Sequence, residues 1–321
     1  MKKKGRLKII GLIGLGNLGE KLAATLLRNG LDLIIHDKFK ENGSKLITSG
    51  AKWEDKPIEL AKKSDIIITC LPSPIICAQV MESEIGVIKG FSAGKIWLEM
   101  STTSKSEVLR ISKLVSEIGG YSADCPVSGG CHKAATGNIS IFAGCNREVF
   151  EKIKSILFIM GKKVLHTGNL GTASVLKVMT NYLATANLVS CCEALTTMKG
   201  EGLDLAKTFE AIKISSGNSF VHETESQVIL NGSRNINFTM DLVLKDIEIF
   251  QKVADEKKIP LEIAPKLIEI FKDGISTYGH GAFSPSIIRR LEDKTGLQIL
   301  CDGFPENIED YDDEVTGYEV L

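Results

Sequence analysis

The spacing of apolar and polar residues changes character once along this chain. Up to Gly168, short β-branched runs alternate with amphipathic stretches. "LKIIGLI", "LDLIIHD", "SDIIITCLP", "GKIWLEM", "ISIFAG" and "KVLHTG" have the length and composition of strands. Between them lie helical patterns such as "NLGEKLAATLLRNG" and "SKSEVLRISKLVSEIGG", each ending at glycine, a normal helix stop. Strand–helix alternation of this kind predicts an α/β fold with a parallel, doubly wound sheet. After Gly168 the apolar spacing is helical almost throughout, over 172–199, 204–214, 241–257, 260–273 and 284–295. The expected organisation is therefore a nucleotide-binding domain at 1–168 and an all-helical domain at 169–321. The latter ends in a tail at about 297–321 that is acidic and lacks lysine and arginine. Such a tail is expected to lie extended on the surface or on a neighbouring subunit, with disorder as the alternative.

Composition narrows the function. With 321 residues the chain is long enough for two sizeable cores, and 25% charged against 43% hydrophobic residues is a globular balance. The net charge is −1 with no basic stripe, which argues against a nucleic-acid partner. No run reaches the roughly 18 apolar residues of a membrane span. The start, "MKKKGRLKIIGLIGLGNLG", imitates an export signal, but three glycines interrupt its apolar run and no small-residue cleavage site follows. None of the 8 cysteines forms a C-x-x-C pair, and Cys70, Cys125 and Cys145 stand beside strand-like runs. They read as small core residues in a reducing cytoplasm, and no metal set is expected.

Gly14, Gly16 and Gly19 form G-x-G-x-x-G, following a β-branched run and opening a helix. That context gives the pattern its meaning. The first glycine permits a tight turn, the second lets backbone approach a pyrophosphate at the positive helix end, and the third allows close helix–strand packing. The whole loop, Gly14, Leu15, Gly16, Asn17, Leu18 and Gly19, is a candidate dinucleotide cradle. Asp37 closes the second strand, 18 residues after Gly19. A carboxylate there can accept both ribose hydroxyls and would repel a 2′-phosphate, so NAD is expected over NADP, although Lys38 weakens the exclusion.

Beyond the glycines, "CLPSP", "EMSTTS", "DCPVSGG", "GTASVLKVMTN" and "LVLKDIEI" follow in order. The ordered set resembles the β-hydroxyacid dehydrogenases over about residues 8–295. The resemblance implies a Rossmann domain, an all-helical domain and an active site in the cleft between them. It further implies that Leu71 and Pro72 line the cofactor, that Thr102 lies beside the nicotinamide, and that Lys245 reaches the cofactor from the helical domain. Ser128, Gly129 and Gly130 would bind the substrate carboxylate, a reading their chemistry supports: two glycines present successive backbone N–H groups and the serine adds a hydroxyl. Members are usually dimers or tetramers.

Lys177 stands in a mostly apolar helical stretch with no Asp or Glu within a turn of it in the sequence, and Asn181 follows at i+4 on the same face. Alcohol oxidation needs a group that takes the hydroxyl proton as hydride leaves carbon. A lysine can do this where desolvation and a nearby cationic ring favour its neutral form. In the family the matching lysine is the catalytic acid–base and the matching asparagine binds substrate. The family's decarboxylating members carry a histidine where this chain has Thr180. After "SGG" the chain has His132 and Lys133 where small residues are usual; they either line the pocket, offering charge to a second anionic group, or lie exposed. The expected function is NAD-dependent interconversion of a small 3-hydroxy carboxylic acid and its semialdehyde or keto acid. The alternatives are a glyoxylate, tartronate or succinic semialdehyde reductase of the same family, and a non-catalytic NAD(H)-binding module.

Overall fold

The structure is a computed structural model that describes residues 8–321. The basic start of the apparent export signal lies outside the described residues. Among the described residues, ten strands form one sheet: β1 (Ile10–Ile13), β2 (Leu33–His36), β3 (Lys52–Trp53), β4 (Ile66–Thr69), β5 (Ile96–Glu99), β6 (Tyr121–Asp124), β7 (Val127–Ser128), β8 (Ile139–Gly144), β9 (Gly161–Gly168) and β10 (Tyr318–Val320). The order is β10-β9-β8-β6-β5-β4-β1-β2-β3, with β7 paired to β8. From β3 to β6 every pair is parallel, and β8 runs antiparallel to β6 at Asp124 and Gly144. Every residue of β1, β4 and β5 is buried. That is why these strands read as continuous apolar runs rather than alternating ones: both faces are covered. One face packs Leu12 and Ile68 against Leu22 and Leu26 of the helix Asn17–Arg28; the other packs Ile13 and Ile67 against Leu60, Trp97 and Ile111. Each such fully buried Leu or Ile contributes about 1.5–3 kcal/mol. The winding reverses at β1, which lies between β2 and β4, so the loops that follow β1 and β4 open side by side.

The chain divides into two compact units, Met1–Lys177 with Asp310–Leu321, and Val178–Glu309. This differs from the sequence expectation in two ways. The break falls inside the helix Thr172–Gly200 rather than before it, because the first turn of that helix is tied to β6. The end of the acidic tail also rejoins the sheet instead of staying with the helices. β10 pairs in parallel with β9, Tyr318 opposite Lys163 and Val320 opposite Leu165, and so covers what would otherwise be an open sheet edge.

The second unit is helical, with Leu205–Lys213, Phe220–Asn231, Met240–Glu256, Ile263–Tyr278 and Arg289–Thr295 following the long helix. Its core holds Leu188, Leu195, Phe209, Ile229, Ile247 and Phe271. The helix Phe220–Asn231 was not legible from apolar spacing. Val221, His222, Thr224, Ser226, Val228, Ile229 and Leu230 are all buried, so no single stripe marks it. His222 is inside because both ring nitrogens are occupied, Nε2 with the Phe209 carbonyl at 2.9 Å and Nδ1 with Ser226 Oγ at 3.1 Å. Burial holds its pKa below the usual histidine value, against the pull of the Phe209 carbonyl. Among the described residues no helix is long and apolar enough to cross a membrane.

Candidate active site

The glycine loop has the geometry that its sequence demands. Gly14 sits at φ +99, and a Cβ there would fall 2.2 Å from the Cys70 carbonyl oxygen of the loop after β4. A Cβ on Gly19 would overlap the Gly14 carbonyl oxygen. Gly16 differs: its Cβ direction meets nothing within 4 Å. Two glycines are thus required by the chain's own packing, and the third leaves backbone open to an approaching ligand. The helix behind it, Asn17–Arg28, has Gly16 as N-cap and no side-chain cap, and a helix N-terminus of this kind suits an anion. These features fit a dinucleotide pyrophosphate.

Asp37 is anchored to this loop. Its Oδ2 accepts from Leu15 N–H at 2.7 Å, and its Oδ1 accepts from Phe39 N–H at 2.9 Å and from Asn42 Nδ2 at 3.0 Å. The carboxylate therefore fixes the end of β2 against the glycine loop.

A buried network supports the neighbouring Leu71–Pro72 segment. The Glu99 carboxyl, 1% exposed, accepts from Ser101 N–H at 2.7 Å, Thr69 Oγ1 at 2.9 Å and Cys77 Sγ at 2.8 Å. Ser101 Oγ in turn accepts from Leu71 N–H at 2.8 Å. Burial pushes the Glu99 carboxyl above the usual carboxylate range, although these donors pull it down. Thr102 follows directly and is half-buried. Glu99 was part of "EMSTTS" in the sequence but carried no role there. A lone carboxylate closing the apolar run "KIWLE" was the available signal.

Ser128 ends β7 opposite Ser140. Gly129 and Gly130 follow at φ +125 and +88, a left-handed pair that only glycines hold without strain. A Cβ on Gly130 would fall 2.7 Å from the His132 ring. His132 and Lys133 both lie half-buried on the short helix Gly130–Ala135. Lys133 Nζ is 3.8 Å from Asp310 Oδ1 of the C-terminal segment, so its charge is partly matched within the chain.

Asp124, at the end of β6, sets the start of the helix that carries Lys177. Its Oδ1 accepts from Gly171 N–H at 2.7 Å, and its Oδ2 accepts from Ser174 N–H at 2.7 Å and Ser174 Oγ at 2.8 Å. Lys177 lies three residues on and is buried, 8% exposed. Asn181 follows one turn later, its Nδ2 donating to Asp246 Oδ2 at 2.5 Å. Lys245 Nζ is 3.1 Å from Asp246 Oδ1. Asp246 itself is 1% exposed. In the sequence it stood out only as the charge after Lys245. Here its acceptor-only carboxylate decides which end of the Asn181 amide meets it. The structure thus gathers the glycine loop, Asp37 and Leu71 in the first unit, and Asn181, Lys245 and Asp246 in the second.

Comparison with known proteins gives the family of the chain. Residues 9–168 match the NAD binding domain of 6-phosphogluconate dehydrogenase. Residues 171–291 match the NAD-binding domain of NADP-dependent 3-hydroxyisobutyrate dehydrogenase. The chain is 33% identical over 292 residues to 2-(hydroxymethyl)glutarate dehydrogenase of Eubacterium barkeri, covering 90% of this chain and 97% of that one. It is 29% identical over 270 residues to mouse mitochondrial 3-hydroxyisobutyrate dehydrogenase, covering 82% and 81%. The fold is that of Salmonella typhimurium 3-hydroxyisobutyrate dehydrogenase, with a TM-score of 0.82 at 23% identity over 88% of this chain and 99% of that one. The chain belongs to the β-hydroxyacid dehydrogenase family of nicotinamide-dependent oxidoreductases.

Proposed function

We propose that the protein oxidises a small 3-hydroxy carboxylic acid reversibly, with NAD preferred over NADP. The observation that carries this reading is the buried Lys177 one helical turn before Asn181, whose amide is held by Asp246. When bound, the nicotinamide supplies the hydride acceptor. The chain's own residues do the rest. Ser128 hydroxyl and the Gly129 and Gly130 N–H groups hold the substrate carboxylate. Lys177 takes the hydroxyl proton during oxidation and returns it during reduction. Asn181, fixed by Asp246, orients the hydroxyl. Thr102, Leu71, Pro72 and Lys245 line the dinucleotide with the Gly14–Gly19 loop. Asp37, already oriented by Leu15 N–H, meets the ribose hydroxyls and disfavours a 2′-phosphate.

A dicarboxylic substrate is a second reading, supported by the 33% identity to 2-(hydroxymethyl)glutarate dehydrogenase and by His132 beside Gly130. A homodimer or homotetramer fits the apolar Ile214 and Phe220, 85% and 52% exposed on the helical unit. The eight free cysteines suit a reducing compartment such as the cytoplasm. The test is a panel of three- to six-carbon hydroxy acids, mono- and dicarboxylic, followed by NADH absorbance. Turnover of at least one 3-hydroxy acid is expected; none with any, by a protein that binds NADH, would leave a nucleotide-binding module instead.

A further inference from the structure

The last residues of the chain form a part of the fold that lies beyond residue 291, where the family match ends. They are not a loose appendage. Asp310, whose side chain is 6% exposed, accepts from Thr136 Oγ1 and from Asn138 Nδ2, the latter at 2.8 Å, and stands 3.8 Å from Lys133 Nζ. The Asp312 carbonyl accepts a second bond from Asn138 Nδ2 at 3.1 Å. All three partners of Asp310 lie on or just after the helix Gly130–Ala135, whose other end is the Ser128–Gly130 loop. Burial works against the Asp310 charge, but Thr136, Asn138 and Lys133 more than offset it and hold its carboxyl below the ordinary value.

A second contact ties the same helix to the dinucleotide side. Glu314 accepts from Arg28 Nε at 2.8 Å and from Asn29 Nδ2 at 2.8 Å, at the end of the helix Asn17–Arg28. Arg28 Nη2 then donates to the Ala135 carbonyl at 3.1 Å, and Thr25 Oγ1 to the Ala134 carbonyl at 3.0 Å. The segment is anchored further on by β10 on β9 and by the Arg147–Glu319 ion pair. Every polar contact of Asp310 named above falls on or just after the helix on which the Ser128–Gly130 loop is mounted, whereas Glu319 on β10 meets Arg147.

We propose that the C-terminal segment is a built part of the substrate site, with Asp310 as a positioning residue that sets the Ser128–Gly130 loop for the substrate carboxylate. This rests on the assignment of that loop in the proposed function. Its side chain touches no reacting atom; it acts by fixing the helix on which the loop is mounted, and small displacements of such a loop are costly to binding.

The test uses the full chain with Asp310→Ala, Asp310→Asn and, as a control at the sheet edge, Glu319→Gln. Asp310→Ala should raise KM for the hydroxy acid about tenfold or more, with kcat changed less than about threefold and NADH affinity within about twofold. Asp310→Asn, which keeps one oxygen acceptor, should fall between it and the wild type. Glu319→Gln should leave KM unchanged. Amide hydrogen exchange at 129–135 should quicken in Asp310→Ala and not in Glu319→Gln. Unchanged KM and exchange in Asp310→Ala would overturn the proposal. So would a raised KM together with weakened NADH affinity and a lowered Tm in both Asp310→Ala and Glu319→Gln, which would make the segment a plain structural strap. Should the wild type oxidise no hydroxy acid, the functional assignment fails separately, and the exchange difference alone decides whether Asp310 orders the loop.

Discussion

Ser174 meets the Asp124 carboxylate twice, through its backbone N–H at 2.7 Å and its hydroxyl at 2.8 Å. With the Gly171 N–H on the other oxygen, a fully buried strand-end carboxylate closes the start of the long helix. Lys177 is three residues further along that helix, so its position is inherited from β6. Asp124→Ala leaves three donors without an acceptor in a buried place, and losing such bonds to a charged group costs about 2 kcal/mol or more. The expected outcome is a lower Tm by thermal melting and a kcat reduced about tenfold or more, with NADH affinity held by the glycine loop. Unchanged turnover would show that the anchor does not govern Lys177.

Cofactor choice is tested at Asp37. NAD should give a much higher kcat/KM than NADP. Asp37→Ala should narrow the gap from both sides, removing the ribose acceptor and the repulsion of a 2′-phosphate. Because Asp37 also accepts from Leu15 N–H, the variant should bind NAD more weakly as well. Equal use of both cofactors by the wild type would refute the preference.

Stability should depend on pH through Glu225. Burial pushes its carboxyl up from an ordinary 4.5 to about 7, against the Ser284 hydroxyl that donates to it at 3.0 Å. The folded chain therefore binds this proton more tightly than the unfolded chain. Stability is lost as pH rises from about 4.5 to about 7, by at most about 3–4 kcal/mol and by less with solvent screening. Glu225→Gln should match the wild type in denaturant unfolding near pH 4 and exceed it near pH 8. Parallel curves across that range would show that Glu225 ionises without cost.

The fold was legible where one rule dominated. The buried central strands carry runs rich in Ile and Leu, and the long helix Thr172–Gly200 is mostly apolar along its length. Short elements such as Lys52–Trp53 and Val127–Ser128 were not, because two residues hold no period. The helix Phe220–Asn231 was hidden by its polar interior residues: Thr224 and Ser226 find partners within the helix itself, and His222 also meets the Phe209 carbonyl, which only the tertiary fold supplies. The tail was legible only as an extended surface segment or a disordered one: Asp310, Glu314 and Glu319 meet Lys133, Arg28 and Arg147, and those cations lie more than a hundred residues away. In the candidate site, the glycines, Asp37, Lys177 and Asn181 were visible as motifs. Glu99 and Asp246 were not, since a supporting carboxylate is defined by what it holds and not by its neighbours in sequence.

The most direct measurement is the turnover of Lys177→Met across pH. The change removes the ammonium and keeps similar side-chain bulk. General acid–base catalysis contributes about 10²–10⁴-fold, so kcat should fall by at least that order while NADH binding persists. Tm should hold or rise, since burying an ammonium is costly to the fold. For oxidation, the wild-type pH–rate profile should show a group that must lose its proton, and the variant should lack that limb. A folded, NADH-binding Lys177→Met protein that turns over hydroxy acid at the wild-type rate would contradict the account.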